Sequence, residues 1–385
     1  MPKIKHLLSA ACLALLASTA TAQAPAPALP PVPAAPDVAA RAFILVDAES
    51  GEVLAEKEAD TPMDPASITK LMTAYAVFME LEKGAMSLDD MVTVSEKAWR
   101  TQGSRTFVEV GSRVRLEDLV RGMIIQSGND ASVALAEHVA GTEGAFAELM
   151  SEYARRLGMQ NSSFRNATGL PAEGHYSSAR DIAILATAII RRFPQHYRYY
   201  SEREFTYNNI TQRNRNTLLW RDESIDGMKT GMTDAAGYCL VASALRDSMR
   251  LVSVVLGTSG PKVRATATQA LMNWGFRFFE THRLYAAGEA VTSVRVWKGE
   301  SEEAGVGLGE DLWITLPRGR YDQVEAVAEL TTPIIAPIDP TGPVGTLRVT
   351  LDGDELAVRE LRPLSAVPEG GLWRRTVDSV LLWME

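Results

Sequence analysis

Cysteine is almost absent from this chain of 385 residues, which contains only Cys12 and Cys239. Cys12 lies in an N-terminal segment that we predict to be removed on export, so the mature chain would keep a single cysteine. No intramolecular disulfide could then form. The fold must therefore be held together by its packed core, and hydrophobic residues, at 46% of the sequence, are abundant enough to build one.

Basic charge and metal-binding motifs are also scarce. The formal net charge is −9, which argues against a nucleic-acid partner because such partners are bound by basic surfaces. None of the 5 histidines lies in the spacing of a zinc motif, so we expect neither a metal ion nor a cofactor. The length itself predicts about two domains.

The first residues are typical of an exported protein. Lys3 and Lys5 precede a short apolar run at 7–17, and small-residue cleavage sites follow, which predicts a secretory signal peptide over residues 1–24. The apolar run is too short to span a bilayer. An uncleaved N-terminal anchor is the alternative. Residues 25–37 are rich in proline and alanine and predict an extended spacer.

Strands at both ends and helices in the middle are predicted for residues 38–282. The segments 41–57 and 237–257 each predict a β-hairpin, and 266–280 predicts a closing helix. This order favours an α/β (α+β) domain in which an antiparallel sheet packs against a helical cluster.

The pattern changes near residue 285. Short runs of alternating apolar and polar residues follow, and Asp352-Gly353 between two of them is a hairpin signal. Residues 285–365 therefore predict a small all-β C-terminal domain.

A serine and a lysine lie three residues apart in PASITKLMTAY, residues 65–75. Pro65 favours an early helical position, which would place Ser67 near the amino end of a helix, where backbone N–H groups are free. On a helix, residues three apart are neighbours, so Ser67 and Lys70 would lie side by side.

The helical pattern also places Lys70 on an apolar stripe, with Thr69 and Thr73 on the one polar face. Burial disfavours the charged form of lysine, and a neutral amine can take a proton from a hydroxyl. This would make Ser67 a nucleophile and Lys70 its base. The alternative is a serine cap followed by a lysine whose amine extends into solvent.

Two further motifs favour the catalytic interpretation. Ser127-Gly128-Asn129 lies between two predicted helices, and Lys229-Thr230-Gly231 comes just before the second predicted hairpin. Each has an ordinary structural explanation alone, a helix cap and a solvated strand end. The order S-x-x-K, S-x-N, K-T-G in one domain is the set found in penicillin-binding proteins and class A β-lactamases.

The chain resembles the low-molecular-mass penicillin-binding proteins that act as serine D-Ala-D-Ala carboxypeptidases. The resemblance covers about residues 38–385. Beyond the three motifs it rests on FRNATGLP (164–171), HYSSARDIA (175–183), DGMKTGMTDAAGYCLVASA (226–244) and NWGFRFFE (273–280). It implies a β-lactamase/transpeptidase-like fold and cleavage of the terminal D-alanine from peptidoglycan stem pentapeptides through an acyl-serine, with β-lactams as inhibitors.

The resemblance also implies roles for individual residues. Ser67 would attack the peptide, Lys70 would remove the serine proton, and Ser127 would relay a proton to the leaving D-alanine with the help of Lys229. Substrate binding is implied for Asn129, Lys229, Thr230, Gly231, Met232 and Arg264.

Met232 departs from the pattern of the family, and Arg264 has no tight motif of its own. The N–H groups of Ser67 and Met232 would form the oxyanion hole, but Met232 stands where close relatives often carry histidine, so a side-chain role would be lost. Arg264 matches the arginine that reads the terminal carboxylate, a task suited to a fixed cationic fork. An unremarkable surface arginine is the alternative. His175 is expected to be structural.

The C-terminal segment 370–385 predicts an amphipathic helix that lies in a membrane surface. Its apolar face is formed by Leu372, Trp373, Val377, Val380, Leu381 and Met384, and Trp383 and Leu382 would widen it. The segment is too short to span a bilayer. The resemblance favours attachment to the periplasmic face of the inner membrane; docking of this helix on the β domain is the alternative.

Two other functions remain open from the sequence. A β-lactamase on the same fold would need a glutamate-bearing loop after S-x-N, and residues 150–200 show no such pattern. A non-catalytic wall-associated binding protein would be expected to have a broken motif, whereas all three motifs are intact.

Overall fold

The computed structural model describes residues 31–384. The predicted signal peptide and the first part of the predicted spacer lie outside the described residues. Residues 33–37 form no helix or strand, but the half-buried Ala35 packs against the core and the Pro33 carbonyl accepts a hydrogen bond from Trp274 Nε1 at 3.1 Å. This part of the spacer therefore contacts the protein, contrary to the expectation that it would be unpacked.

Helices dominate the first two thirds of the described chain. The α-helices are α1 (Lys70–Glu82), α2 (Glu96–Arg100), α3 (Leu116–Ile125), α4 (Asn129–Ala140), α5 (Glu143–Arg156), α6 (Ala179–Arg192), α7 (Pro194–Tyr197), α8 (Pro261–Phe278) and α9 (Leu372–Met384). Short 3-10 helices occupy Ala66–Thr69, Arg198–Ser201, Thr217–Trp220 and Tyr321–Gln323.

Strands are distributed along the described chain and become the main element after α8. In the first part they are β1 (Ala42–Asp47), β2 (Val53–Lys57), β3 (Met91–Thr93), β4 (Arg113–Arg115), β5 (Glu204–Tyr207), β6 (Ile210–Arg213), β7 (Ile225–Thr233), β8 (Gly237–Arg246) and β9 (Met249–Thr258). Those that follow are β10 (Phe279–Tyr285), β11 (Ala290–Trp297), β12 (Glu303–Gly307), β13 (Leu312–Pro317), β14 (Val324–Leu330), β15 (Ile334–Ile335), β16 (Gly345–Leu351) and β17 (Asp354–Pro363).

A five-stranded antiparallel sheet, in the order β2-β1-β9-β8-β7, forms the middle of the first domain. Successive residues of β1 point to opposite sides. Ile44 joins the apolar cluster that contains α1 and α6, while Phe43 and Leu45 join the cluster formed with α8. The sheet is thus covered on both faces, and both predicted hairpins, β1-β2 and β8-β9, are confirmed.

Helix α1 is buried on every side, which the sequence pattern did not predict. Thr69 and Thr73 were expected on a polar face but are 1% and 0% exposed. Their hydroxyl groups are satisfied inside the protein instead: Thr69 Oγ1 contacts His175 Nε2 at 2.8 Å, and Thr73 Oγ1 donates to the Ala167 carbonyl at 2.7 Å. A buried threonine with a hydrogen-bond partner is compatible with a core helix.

The C-terminal β domain contains a six-stranded sheet in the order β14-β16-β17-β12-β11-β15 and the separate pair β10-β13. The turn at Asp352-Gly353 joins β16 to β17, as predicted. Helix α8 ends at Phe278, and β10 begins at Phe279, a few residues before the change predicted near residue 285. The predicted fold class, a mixed helix and sheet domain followed by a small all-β domain, is confirmed.

Candidate active site

The three sequence motifs meet beside β7, at the edge of the five-stranded sheet. Ser67 lies in the 3-10 helix that leads into α1, whose first residue is Lys70. Ser127 lies between α3 and α4, and Asn129 is the first residue of α4. Lys229 lies on β7. Four separate elements and the turn between α3 and α4 therefore carry the side chains of the site.

The Lys70 amine is held by three oxygen atoms. Its Nζ lies 3.0 Å from Ser67 Oγ, 2.7 Å from Asn129 Oδ1 and 2.6 Å from the Thr168 carbonyl oxygen. The amide and carbonyl oxygens can only accept hydrogen bonds. They would use both N–H groups of a neutral amine, and its lone pair would then be directed to the Ser67 hydroxyl. This geometry suits removal of the serine proton.

The environment of Lys70 favours the neutral amine. Its side chain is 1% exposed, and burial is the largest cause that lowers its pKa, to about 7. The positive charge of Arg215 lowers the pKa further, while Asp130 opposes the shift. Ser67, by contrast, is partly exposed, so a ligand can reach its hydroxyl group.

Lys229 and Ser127 form a second pair beside the first. Lys229 Nζ donates to Ser127 Oγ at 3.0 Å and to the Thr230 carbonyl at 2.9 Å. Burial, followed by repulsion from Lys70, holds the pKa of Lys229 well below its usual value. Ser127 has a φ of 67°, a left-handed conformation that costs free energy for a residue with a side chain. Such strain is concentrated at functional sites.

Strand β7 is the edge strand of its sheet on the side of the site. Gly231 packs directly on the turn that carries Ser67: a Cβ atom there would lie 3.0 Å from the Pro65 carbonyl oxygen and 3.1 Å from Ile68 Cγ1. The glycine of this motif therefore allows β7 and the nucleophile turn to approach closely. The next residue, Met232, is 52% exposed.

Arg264 lies on α8, and its side chain reaches Gly231 on β7. Its Nη1 donates to the carbonyls of Gly231 and Cys239 at 3.1 and 3.2 Å, and burial lowers the pKa of its guanidinium. Arg264 is thus a half-buried residue tied to β7 and β8, rather than an unremarkable surface arginine. Neither Arg264 nor Met232 is within hydrogen-bonding distance of Ser67 through its side chain among the described contacts.

Asp130 is a further residue of the site, and no sequence motif predicted its role. Its carboxylate is 0% exposed and accepts backbone N–H bonds from Thr106 at 2.8 Å and Phe107 at 2.9 Å. Thr106 and Phe107 belong to the loop at 101–110. The same loop also contacts Asn129, whose Nδ2 donates to the Gln102 carbonyl at 2.6 Å. Asp130 and Asn129 together therefore fix the loop at 101–110 against the site.

A second loop closes the site from the other side. It carries the Thr168 carbonyl that binds Lys70, and its Gly169 lies so close to Ala66 that a Cβ atom would be 1.7 Å from the Ala66 carbonyl oxygen. Buried His175 holds this loop: its Nδ1 accepts from the Arg165 N–H at 3.0 Å, so Nε2 carries the proton. Burial lowers its pKa to about 4. The histidine is a structural tie, as expected.

Arg215 was also missed from the sequence. Its Nε donates to the Gln126 carbonyl at 3.1 Å, and its charge lowers the pKa of both Lys70 and Lys229. Buried Asn214 and Asn216 on either side are fixed by hydrogen bonds to the backbone. In the sequence Arg215 is marked only by its position between Asn214 and Asn216, and the burial of these asparagines, which fixes the segment, is a property of the fold.

Comparison with known proteins agrees with this geometry. The family model described as D-alanyl-D-alanine carboxypeptidase matches residues 30–260, and the model for the penicillin-binding protein 5 C-terminal domain matches residues 279–369. The D-alanyl-D-alanine carboxypeptidase DacC of Escherichia coli K12 is 45% identical over 90% of this chain and 88% of its own length. DacA of the same strain is 42% identical over 89% and 87%.

A solved structure shows the same relationship. Penicillin-binding protein 5 from Haemophilus influenzae superposes with a TM-score of 0.84 at 40% identity, covering 87% of this chain and 99% of its own. The sequence matches, the shared fold and the assembled serine-lysine site lead to one conclusion. The chain belongs to the D-alanyl-D-alanine carboxypeptidase family and is a penicillin-binding serine hydrolase of the bacterial cell wall.

Proposed function

We propose that Ser67 is the nucleophile of this carboxypeptidase, that Lys70 is its general base, and that the substrate is a peptidoglycan stem pentapeptide ending in D-Ala-D-Ala. The observation that carries the proposal is the set of contacts around Lys70 Nζ. Two oxygens that can only accept hold its N–H groups, and the third neighbour, 3.0 Å away, is the Ser67 hydroxyl.

In the acylation step, Ser67 Oγ attacks the carbonyl carbon between the two D-alanines while its proton passes to Lys70 Nζ. The developing oxyanion would be stabilised by the N–H groups of Ser67 and Met232. The C–N bond then breaks, and the leaving amine takes a proton through Ser127. Support for this relay comes from the Lys229 amine, which lies 3.0 Å from Ser127 Oγ and polarises that hydroxyl.

Deacylation needs a water molecule in place of the departed D-alanine. Once Lys70 has passed the serine proton through Ser127 to the departing D-alanine amine, it is neutral again and can deprotonate that water as it deprotonated the serine. Attack on the ester carbon breaks the bond to Ser67 Oγ, which recovers a proton, and the shortened peptide leaves. The same lysine would thus serve both half-reactions.

Substrate binding is proposed for the residues around the edge of β7. An extended peptide can add to an edge strand through backbone hydrogen bonds, here along Thr230 and Gly231. Asn129 would hold a substrate amide with the Nδ2 hydrogen that the Gln102 carbonyl leaves free. Arg264 would bind the terminal carboxylate, and the nearby charge of Arg215 favours the same anion. β-Lactams would enter this cleft as inhibitors.

The proposal is tested with labelled penicillin and a tripeptide that ends in D-Ala-D-Ala. Durable labelling together with released D-alanine supports it. Rapid loss of label would instead indicate a β-lactamase, and absence of label would indicate a non-catalytic wall-associated protein. The matched control is Ser67→Ala, which removes one oxygen atom; it should melt as the parent does and show neither label nor product.

We also propose how the parts of the chain are arranged in the cell. Residues 1–24 would direct export, 25–37 would be a spacer, 38–282 the catalytic domain and 285–365 the β domain. Within residues 31–384 no helix is both long and apolar enough to cross a membrane. The segment 370–385 would instead lie in the surface of the inner membrane, on its periplasmic side. The support is the apolar, exposed side of α9.

A further inference from the structure

Helix α9 contacts its own β domain through its polar side. One stripe of the helix is formed by residues spaced four apart, namely Arg374, Asp378 and Leu382. Asp378 is 7% exposed and accepts the backbone N–H of Lys298 at 2.5 Å. Leu382, which was expected to widen the apolar side, is half-buried. The polar side of α9 is therefore docked on the β domain, as the alternative to membrane attachment expected.

The opposite side of α9 is apolar and exposed. Thr376 lies within this face, and neither acidic nor basic residues interrupt it. At 100° per residue, the face spans about half of the helix circumference. Its exposed apolar members are Leu372, Trp373, Val377, Val380, Leu381, Trp383 and Met384.

Both arginines of α9 are already paired with acidic residues of the protein. Arg374 Nη1 lies 3.2 Å from Glu302 Oε1, and Arg375 Nη1 lies 2.6 Å from Glu369 Oε2. The helix therefore offers no unpaired cation to a lipid headgroup, within the described residues. The full sequence carries a formal net charge of −9, so a negatively charged surface would repel the protein as a whole.

We infer that α9 attaches to a bilayer through apolar insertion alone, and that its partner is the acyl-chain boundary of a bilayer of any headgroup charge. This inference rests on the proposed membrane attachment. Surface helices that depend on anionic lipids place lysine and arginine beside their apolar face, where each contributes attraction at the membrane surface. Here Arg374 borders the apolar face next to Leu381 but is paired with Glu302, and Arg375 lies on the docked side, paired with Glu369.

The test uses the mature chain with two kinds of vesicle, pure phosphatidylcholine and an equal mixture with phosphatidylglycerol, each at low and high salt. The inference expects partition coefficients that agree within about three-fold in all four conditions, because screening affects only charge interactions. Binding at least about ten-fold tighter to the anionic vesicles, lost at high salt, would overturn the inference while leaving membrane attachment intact.

A lack of binding to either vesicle would overturn the membrane attachment itself, and this inference with it. Two single variants sharpen the result. Trp383→Ser should weaken binding to both vesicles at least about five-fold, since it removes a large aromatic side chain from the apolar face. Arg375→Gln should leave both partition coefficients unchanged. Penicillin labelling of each variant reports that the catalytic domain is intact.

Discussion

The charged side chains of the active site and those of the C-terminal β domain lie in opposite environments. Lys70 and Lys229 are 1% and 2% exposed, and their hydrogen-bond partners among the described residues are hydroxyl, amide and backbone oxygens rather than carboxylates. The β domain instead carries exposed ion pairs, such as Arg348 with Glu355. A buried cation without a carboxylate loses its proton easily and becomes a base, whereas an exposed pair remains charged and contributes little.

Replacing Lys70 should have the largest effect on activity. Lys70→Met keeps a similar side-chain volume and removes the base, so kcat/KM for the D-Ala-D-Ala tripeptide should fall by about 10²–10⁴-fold. Steady-state release of D-alanine measures this. The role of Lys70 as a base would be contradicted if a variant that melts normally kept more than about one tenth of the parental kcat/KM. The contrast between buried lysines and exposed ion pairs would then fail as well.

The pH profile should report the same amine. Because Lys70 must be neutral to accept the serine proton, and burial lowers its pKa to about 7, kcat/KM should fall as pH falls through 7. At pH 6 only about one tenth of the amine would be neutral, so acylation should slow about ten-fold from its plateau. Penicillin acylation rates at a series of pH values test this. An unchanged rate between pH 8 and pH 5.5 would refute it.

The buried carboxylate of Asp130 should show an intermediate effect. Asp130→Asn keeps the shape but places an N–H₂ group against backbone N–H donors of the loop at 101–110. A lost charge-assisted bond of this kind costs about 1.5–3 kcal/mol, so the melting temperature should drop by several degrees. Since the loop also contacts Asn129, KM should rise as well. A variant with parental melting temperature and KM would show that the loop does not need this anchor.

The smallest effect is expected in the β domain. Arg348→Gln removes an exposed ion pair with Glu355, and exposed pairs contribute about 0–1 kcal/mol because water screens them. The melting temperature should change by no more than about 2 °C, and the rate of penicillin acylation should be unchanged. A large loss of stability here would mean that exposed charges in the β domain are as strongly coupled as the buried ones.

Much of the fold could be predicted from local patterns. Alternation of apolar residues and the turn at Asp352-Gly353 predicted the hairpins correctly, and the helical period predicted α3, α4 and most of α8. Local patterns failed where distant parts of the chain cover an element. Thr69 and Thr73 look polar in the sequence, but His175 and the Ala167 carbonyl, about a hundred positions later, provide their hydrogen bonds.

The sequence by itself determined which groups could react, because Ser67, Lys70, Ser127 and Lys229 stand in three short motifs in a fixed order. Only the tertiary structure decided the state of those groups. The Lys70 amine finds its acceptors 59 and 98 positions away, and the burial that lowers its pKa comes from loops packed around α1. Protonation depends on the free energy of desolvation, which is a property of the assembled site rather than of a motif.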